Sequence, residues 1–284
     1  MVASIPKPTD ALRNLLVRQV RAVFNDRTKG EAPVVPSADA LFPPDSPIRM
    51  VHADVVAMMV GGMRALLLQM LHPVALQGVL DHSDFRHDVE GRLRRTARFI
   101  ATTTYAHRDE ALKAIATVNA IHTRITGTMP DGRPYSATDP RVLAWVHLAE
   151  ATSFLEAYLA YADPDMPAAD QDRYFEQSAR VAELLGCAPV PRSRAEAFAL
   201  MADMRDDLAG SPAAREVAAF LLEGEPGRRP GTVLQTLGTA AVDLLPPFAR
   251  TMLGIGRPGL AALPVRAGTR AMAATIRWAF AGKR

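Results

Sequence analysis

The stretch Gly61-Gly62-Met63-Arg64-Ala65-Leu66-Leu67-Leu68-Gln69-Met70-Leu71-His72-Pro73-Val74-Ala75-Leu76-Gln77-Gly78-Val79 is the densest apolar run in the chain. Its length and composition predict a buried helix. Pro73 removes a backbone donor and disfavours helix at the residue before it, so the run should break at His72-Pro73. A histidine at such a break is a polar group in an apolar setting and needs a partner. Residues 55–80 would be long enough to span a bilayer. Arg64, Gln69, His72, Pro73 and Gln77 lie inside, which favours a core helix over a membrane span.

Outward from this run the pattern stays helical. Residues 6–24 read as a short amphipathic helix and 25–54 as a proline-rich connector that wraps a surface. Residues 89–104 read as a helix with two stripes. Leu93, Ala97, Ile100 and Thr104 form one; Arg92, Arg95, Thr96, Phe99 and Thr103 form a second, partly cationic one. A helix over 109–126 carries Ile115, Val118, His122 and Ile125 on one face. Residues 131–134 read as a turn. Asp139 and Pro140 read as cap and first residue of a helix to about 162, with Leu143, His147, Glu150 and Phe154 on one face. Further helices are expected over 167–185, 194–208, 211–222, 232–245 and, as a basic tail, 265–281. No stretch shows sustained alternation of the β type. The expectation is an all-α chain: residues 1–48 as N-terminal helix and wrapping segment, and 49–284 as one helical domain with its functional core at about 50–160.

With 284 residues, 49% of them apolar, the chain can bury a large core with a cofactor inside it. A net charge of +3 is well short of a nucleic-acid footprint. Cys187 is alone, which excludes an intrachain disulfide, a multi-cysteine metal site and Cys-x-x-Cys-His haem attachment. Residues 1–12 lack an apolar leader segment, so a cytoplasmic location is expected. No phosphate-binding Gly-x-x-x-x-Gly-Lys, Gly-x-Ser-x-Gly, Glu-x-x-His or His-Glu-x-x-His occurs.

All seven histidines lie in the first 147 residues. His122, between Val118 and Ile125, is either a core histidine bonded to a backbone carbonyl or an axial ligand to haem iron. A haem ligand needs apolar walls around it and arginines elsewhere for the propionates. Arg92 and Arg95 could supply the latter through planar, two-pronged contacts. His147, three residues before Glu150, could ligate a metal, be oriented by that carboxylate, or make an interhelical hydrogen bond. His82, Asp84, His87 and Asp88 form a compact cluster that reads either as a divalent-metal site or as caps and turns.

The ordered set Gly61-Gly62-x-Arg64-Ala65, His72-Pro73, His82-Ser83-Asp84-Phe85, Arg92-Leu93-x-Arg95-Thr96, His122-x-x-Ile125-x-Gly127, Tyr135-x-Ala137-x-Asp139-Pro140 and Trp145-Val146-His147 resembles the rubber-oxygenase-like family. That family includes latex clearing proteins and MpaB-type oxygenases. The resemblance is strong over about 50–160 and loose elsewhere. It implies a globin-like helical domain holding a non-covalent haem b, with oxygenase activity on a small apolar substrate and O2. It implies His122 as the iron ligand and Arg92, Arg95, His147 and His72 as cofactor-contacting residues. Arg95, Thr96 and His147 would be the catalytic set on the oxygen side. Two departures are visible. Arg95 stands where latex clearing proteins carry a lysine, and arginine stays protonated, so a lysine-capped iron is not available. Near where the polyisoprene-cleaving members carry an acidic base, position 76 is Leu. Two other readings are a non-haem metalloenzyme using His82, His87, His147 and Glu150, and a helical binding protein that meets membranes through its basic tail.

Overall fold

A computed structural model describes residues 32–83, 89–224, 232–256 and 262–281. The predicted helix over 6–24 lies outside them. The quoted run lies in two helices, α2 (Val55–Gln69), which a short α1 (Pro47–Ala53) precedes, and α3 (Pro73–His82) after the break. Pro73 takes the first turn of α3 and His72 is its extended N-cap, so the proline splits the run where expected. The break frees backbone carbonyls, and both are met. Trp145 Nε1 donates to Leu68 O (3.2 Å), and Ala209 N donates to Leu71 O (2.8 Å).

The remaining helices are α4 (Val89–Tyr105), α5 (Arg108–His122), α6 (Pro140–Tyr161), α7 (Ala168–Leu184), α8 (Arg194–Asp203), α9 (Pro212–Glu223), α10 (Thr232–Leu244), α11 (Pro247–Leu253) and α12 (Ala262–Ala281). One single-turn 3-10 segment, Met204–Asp207, follows α8. The protein is a single all-α domain. The expectation of no strand needs one correction. Thr126–Thr128 (β1) pairs antiparallel with Pro134–Ser136 (β2), with Gly127 opposite Tyr135. Strands of three residues are too short to print an alternating pattern, although the turn between them was legible.

The core is α2 laid against α6. Gly61 is the contact point: a Cβ there would lie 2.9 Å from Ser153 O and 3.0 Å from Phe154 Cα. Val60, Leu67, Leu68, Trp145, Leu148 and Ala149 are fully buried around it. Arg64 is buried in the same layer at 2% exposure. Its Nε donates to Leu244 O (2.9 Å) and its Nη1 to Ser153 Oγ (2.7 Å), so one guanidinium joins α2, α6 and the end of α10. Burial pulls its pKa down to about 10, partly offset by the Glu156 carboxylate. Lysine keeps the charge but has no fork to reach both acceptors. Arg64→Lys is therefore expected to cost about 1–2 kcal/mol in denaturant unfolding, one buried hydrogen bond's worth. An unchanged midpoint would refute the two-acceptor role.

The basic tail folds inward as α12. Its Thr269, Ala273 and Ala279 are buried against α2, α6 and α10. Arg277 Nη1 pairs with Asp54 Oδ2 at 2.7 Å, while Asp54 Oδ1 accepts from Ala57 N and caps α2. Among the described residues no single helix is long and apolar enough to cross a membrane.

The described part of the connector, residues 32–46, runs over α4. Ser37 N donates to Tyr105 O, Arg108 N donates to Asp39 O, and Arg49 Nη1 donates to Phe42 O. Leu41 and Phe42 reach the core. α1 was not expected inside that connector.

Candidate active site

Four helices converge on a cleft holding about 440 Å³ of space, its open mouth included. α1 contributes Ile48 and His52. α4 contributes Phe99, Ile100, Thr103 and Thr104. α6 contributes His147, Glu150, Ala151 and Phe154. α7 contributes Tyr174, Ser178 and Val181, and Leu185 follows it. The spacings explain the assembly. Phe99 and Thr103 are four apart on α4; His147, Glu150 and Phe154 recur at three and four on α6. Both sets were read from the sequence as single faces.

The polar groups in this cleft are few and nearly all neutral. His147 Nε2 meets Ser178 Oγ at 3.3 Å, and burial lowers its pKa to about 4. His52 Nδ1 meets Thr104 Oγ1 at 2.8 Å, and its ring stands edge-on to Phe154 and Tyr174. Its Nε2 is buried and has no partner among the described residues. Burial, and then the neighbouring His147, lower its pKa to about 3. Glu150 Oε1 accepts from Gln69 Nε2 at 3.2 Å. Burial raises its carboxyl to about 7, against the opposing pulls of Gln69 and Arg92. Tyr174 donates to Ala151 O and Thr103 to Phe99 O, so neither hydroxyl is left over.

The other expected site residues lie as follows. Arg92 is half-buried on α4, and Nη1 donates to Ser83 Oγ at 3.3 Å. Burial and then Arg95 lower its pKa, while Glu150 raises it, so its charge faces the Glu150 side. Arg95 and Thr96 are exposed on the same helix. His122 ends α5, which packs along α4. Its ring is half-buried, Nδ1 is buried without a partner among the described residues, and burial lowers its pKa. His122 is not part of the cleft wall described above. His72 is 7% exposed, with Nδ1 also unpartnered, and it senses Asp207, Asp139 and Arg141 rather than the cleft.

His82 Nε2 contacts Thr126 O at 3.0 Å and its ring stands edge-on to Tyr135. Asp84, His87 and Asp88 lie outside the described residues. Among the described residues no group of three His, Cys, Asp or Glu is placed to hold a metal ion.

Sequence reasoning missed His52, Tyr174 and Ser178. His52 had a readable signal: Ser46-Pro47 opens α1 in the same serine-then-proline manner as Ser211-Pro212 opens α9. Only then does His52 fall on a helix that meets α4 and α6.

No curated protein and no solved structure matches the chain. One family does, over residues 49–278, a span that contains every cleft residue named above except Ile48, together with the α4 stripe, His122 and the α2–α6 core. The chain belongs to the family described as ER-bound oxygenase mpaB/B′/rubber oxygenase, catalytic domain, and is an oxygenase-type enzyme.

Proposed function

We propose that the chain is a haem-b-dependent oxygenase that oxidises a small apolar molecule with O2. The observation that supports this is the state of His122. Its imidazole is half-buried, burial favours its neutral form, and it keeps a buried nitrogen with no partner among the described residues. It also ends a helix packed along the one that carries Arg92, Arg95 and Thr96. A neutral imidazole is the form that binds a transition metal, and iron binding would supply the missing partner for the ring. His122 would therefore offer haem iron an imidazole nitrogen donor.

His122 would hold the iron. Arg92 and Arg95 would meet the propionates with planar guanidinium contacts. When bound, haem supplies the O2-activating redox chemistry that amino-acid side chains lack. The chain does the rest. Phe99, Ile100, Phe154, Val181 and Leu185 give the cleft apolar walls that hold the substrate and exclude water. His147, held by Ser178, is a neutral hydrogen-bonding group in that wall. Thr96 and Arg95, one turn before Phe99 on α4, would serve on the oxygen side. With Arg95 in place of lysine and Leu76 in place of an acid, a small apolar molecule fits this chain better than polyisoprene.

The test is an absorption spectrum of the purified full chain produced with haem supplementation. The wild type is expected to show a Soret band. His122→Ala is expected to lower haem retention by about tenfold or more, while His72→Ala keeps it. A colourless wild-type protein refutes haem dependence. A Soret band unchanged in His122→Ala refutes the ligand.

A further inference from the structure

His52 itself has no role in the reading above. The cleft wall is apolar on four helices, through Ile48, Phe99, Ile100, Phe154 and Val181, with Leu185 following the last. Against that background one ring nitrogen, His52 Nε2, is buried and unpaired, while the opposite ring nitrogen is fixed on Thr104 Oγ1 at 2.8 Å. An unpaired buried polar atom is costly, and His52 lines the cleft, so a ligand that displaces its neighbours there can supply the partner. Thr104 can donate to Nδ1 or accept from it, so Nε2 can present either a proton or a lone pair. A hydroxyl matches both, because it donates and accepts.

The charges around the site narrow the ligand further. The groups facing it are His52 from α1, Arg92 from α4, His147 and Glu150 from α6, and Tyr174 from α7. Both imidazoles are neutral, Tyr174 is spent on Ala151 O, and Arg92 reaches Ser83 and the Glu150 side. Arg92 already interacts with Ser83 and the Glu150 carboxyl, so a ligand carboxylate buried beside Glu150 would be poorly compensated.

We propose that the cleft binds a neutral, hydroxyl-bearing apolar molecule, a phenol or alcohol, with its hydroxyl on His52 Nε2 and its apolar body against Phe99, Phe154 and Val181. Calling this molecule the oxygenase substrate rests on the reading above. Its binding does not, because His122 is no part of this wall.

The probe is 2-naphthol, compared with naphthalene and 2-naphthoate, titrated against the purified full chain and followed by probe fluorescence. 2-Naphthol is expected to bind saturably, about tenfold more tightly than either comparator, the value of one buried neutral hydrogen bond. His52→Phe keeps an aromatic ring beside Phe154 and Tyr174. It is expected to bring 2-naphthol down to the level of naphthalene and leave naphthalene unchanged. Val181→Phe, which fills the cleft and leaves His52 intact, is expected to abolish binding of both probes. Should His52→Phe fail to fold, the wild-type preference and the Val181→Phe block decide the matter. Equal binding of 2-naphthol and naphthalene, tighter binding of 2-naphthoate, or no saturable binding overturns the proposal. A Soret band lost in His122→Ala with the 2-naphthol preference intact leaves the two readings separate.

Discussion

Gly61→Leu is expected to abolish cooperative folding, and Gly61→Ala to lower stability by about 1–2 kcal/mol. At Gly61 an added Cβ would approach Ser153 O to 2.9 Å and Phe154 Cα to 3.0 Å. Those are backbone atoms of α6, so no rotamer change relieves the contact and the two central helices must separate. Overpacking of this kind costs about 1–3 kcal/mol, and the better helix propensity of alanine returns only about 1. Leucine adds a branched chain where not even one carbon fits. Gly62, the next residue on α2, is the control: a Cβ there meets nothing within 4 Å. Gly62→Ala is expected to stabilise by about 0.5–1 kcal/mol. Thermal unfolding should move in opposite directions for the two alanine variants, by roughly 2–4 °C per kcal/mol. Equal shifts would refute the close α2–α6 contact.

The same region shows how far the sequence could be read. The break at His72-Pro73 was legible because proline acts locally on its own backbone and on the residue before it. The shared face of His147, Glu150 and Phe154 was legible because helical spacing is a property of one element. The partner of that face was not. His52 reaches the cleft only through the placement of α1 against α4 and α6, and its connector reads as loop because five prolines crowd it. α11 was missed because Pro246-Pro247 reads as a stop, yet Pro247 is also an acceptable first helical residue. The family resemblance placed the chain correctly, and residues 49–278 match that family. It said nothing of His52, Tyr174 or Ser178. Arg64 carried a second lesson. A charge inside an apolar run argued against a membrane span, and the acceptors that make it tolerable, Leu244 O and Ser153 Oγ, lie far along the chain.

Acid is expected to destabilise the fold between pH 6.5 and 4.5, and Glu150→Gln to make that loss about twice as steep. His52 and His147 titrate near 3 and 4 in the folded chain against 6.5 when unfolded. The unfolded chain therefore takes up their protons first as pH falls. Their contribution is present above pH 6.5 and is lost as pH drops toward the folded values. Each removes about 1.4 kcal/mol per pH unit. Glu150 works the other way. Its folded value of about 7 stands above 4.5, so the folded chain binds its proton first. Its contribution is present below pH 4.5 and is lost as pH rises through about 7. Between 4.5 and 6.5 it cancels one imidazole, leaving a net loss of about 2–3 kcal/mol over the two units. Glu150→Gln removes the cancelling group, and the loss becomes about 5 kcal/mol. The same variant is expected to be about 2–3 kcal/mol more stable than wild type at pH 8, where the buried carboxylate is charged. Denaturant unfolding at pH 4.5, 6.5 and 8 measures all three. Parallel profiles for the two proteins would refute a raised carboxyl in the cleft.

The pairing of Asp54 with Arg277 sets an order of events during synthesis. The two residues are 223 positions apart, and the helix they close carries much of the apolar centre. At roughly 5–20 residues per second, a ribosome needs about 10–45 s to deliver Arg277 after Asp54. Through that interval the nascent chain holds Val60, Leu67 and Leu68 without the finished wall of α10 and α12. The native centre can close only once translation has passed residue 277, and until then the exposed segment is a target for holdase chaperones.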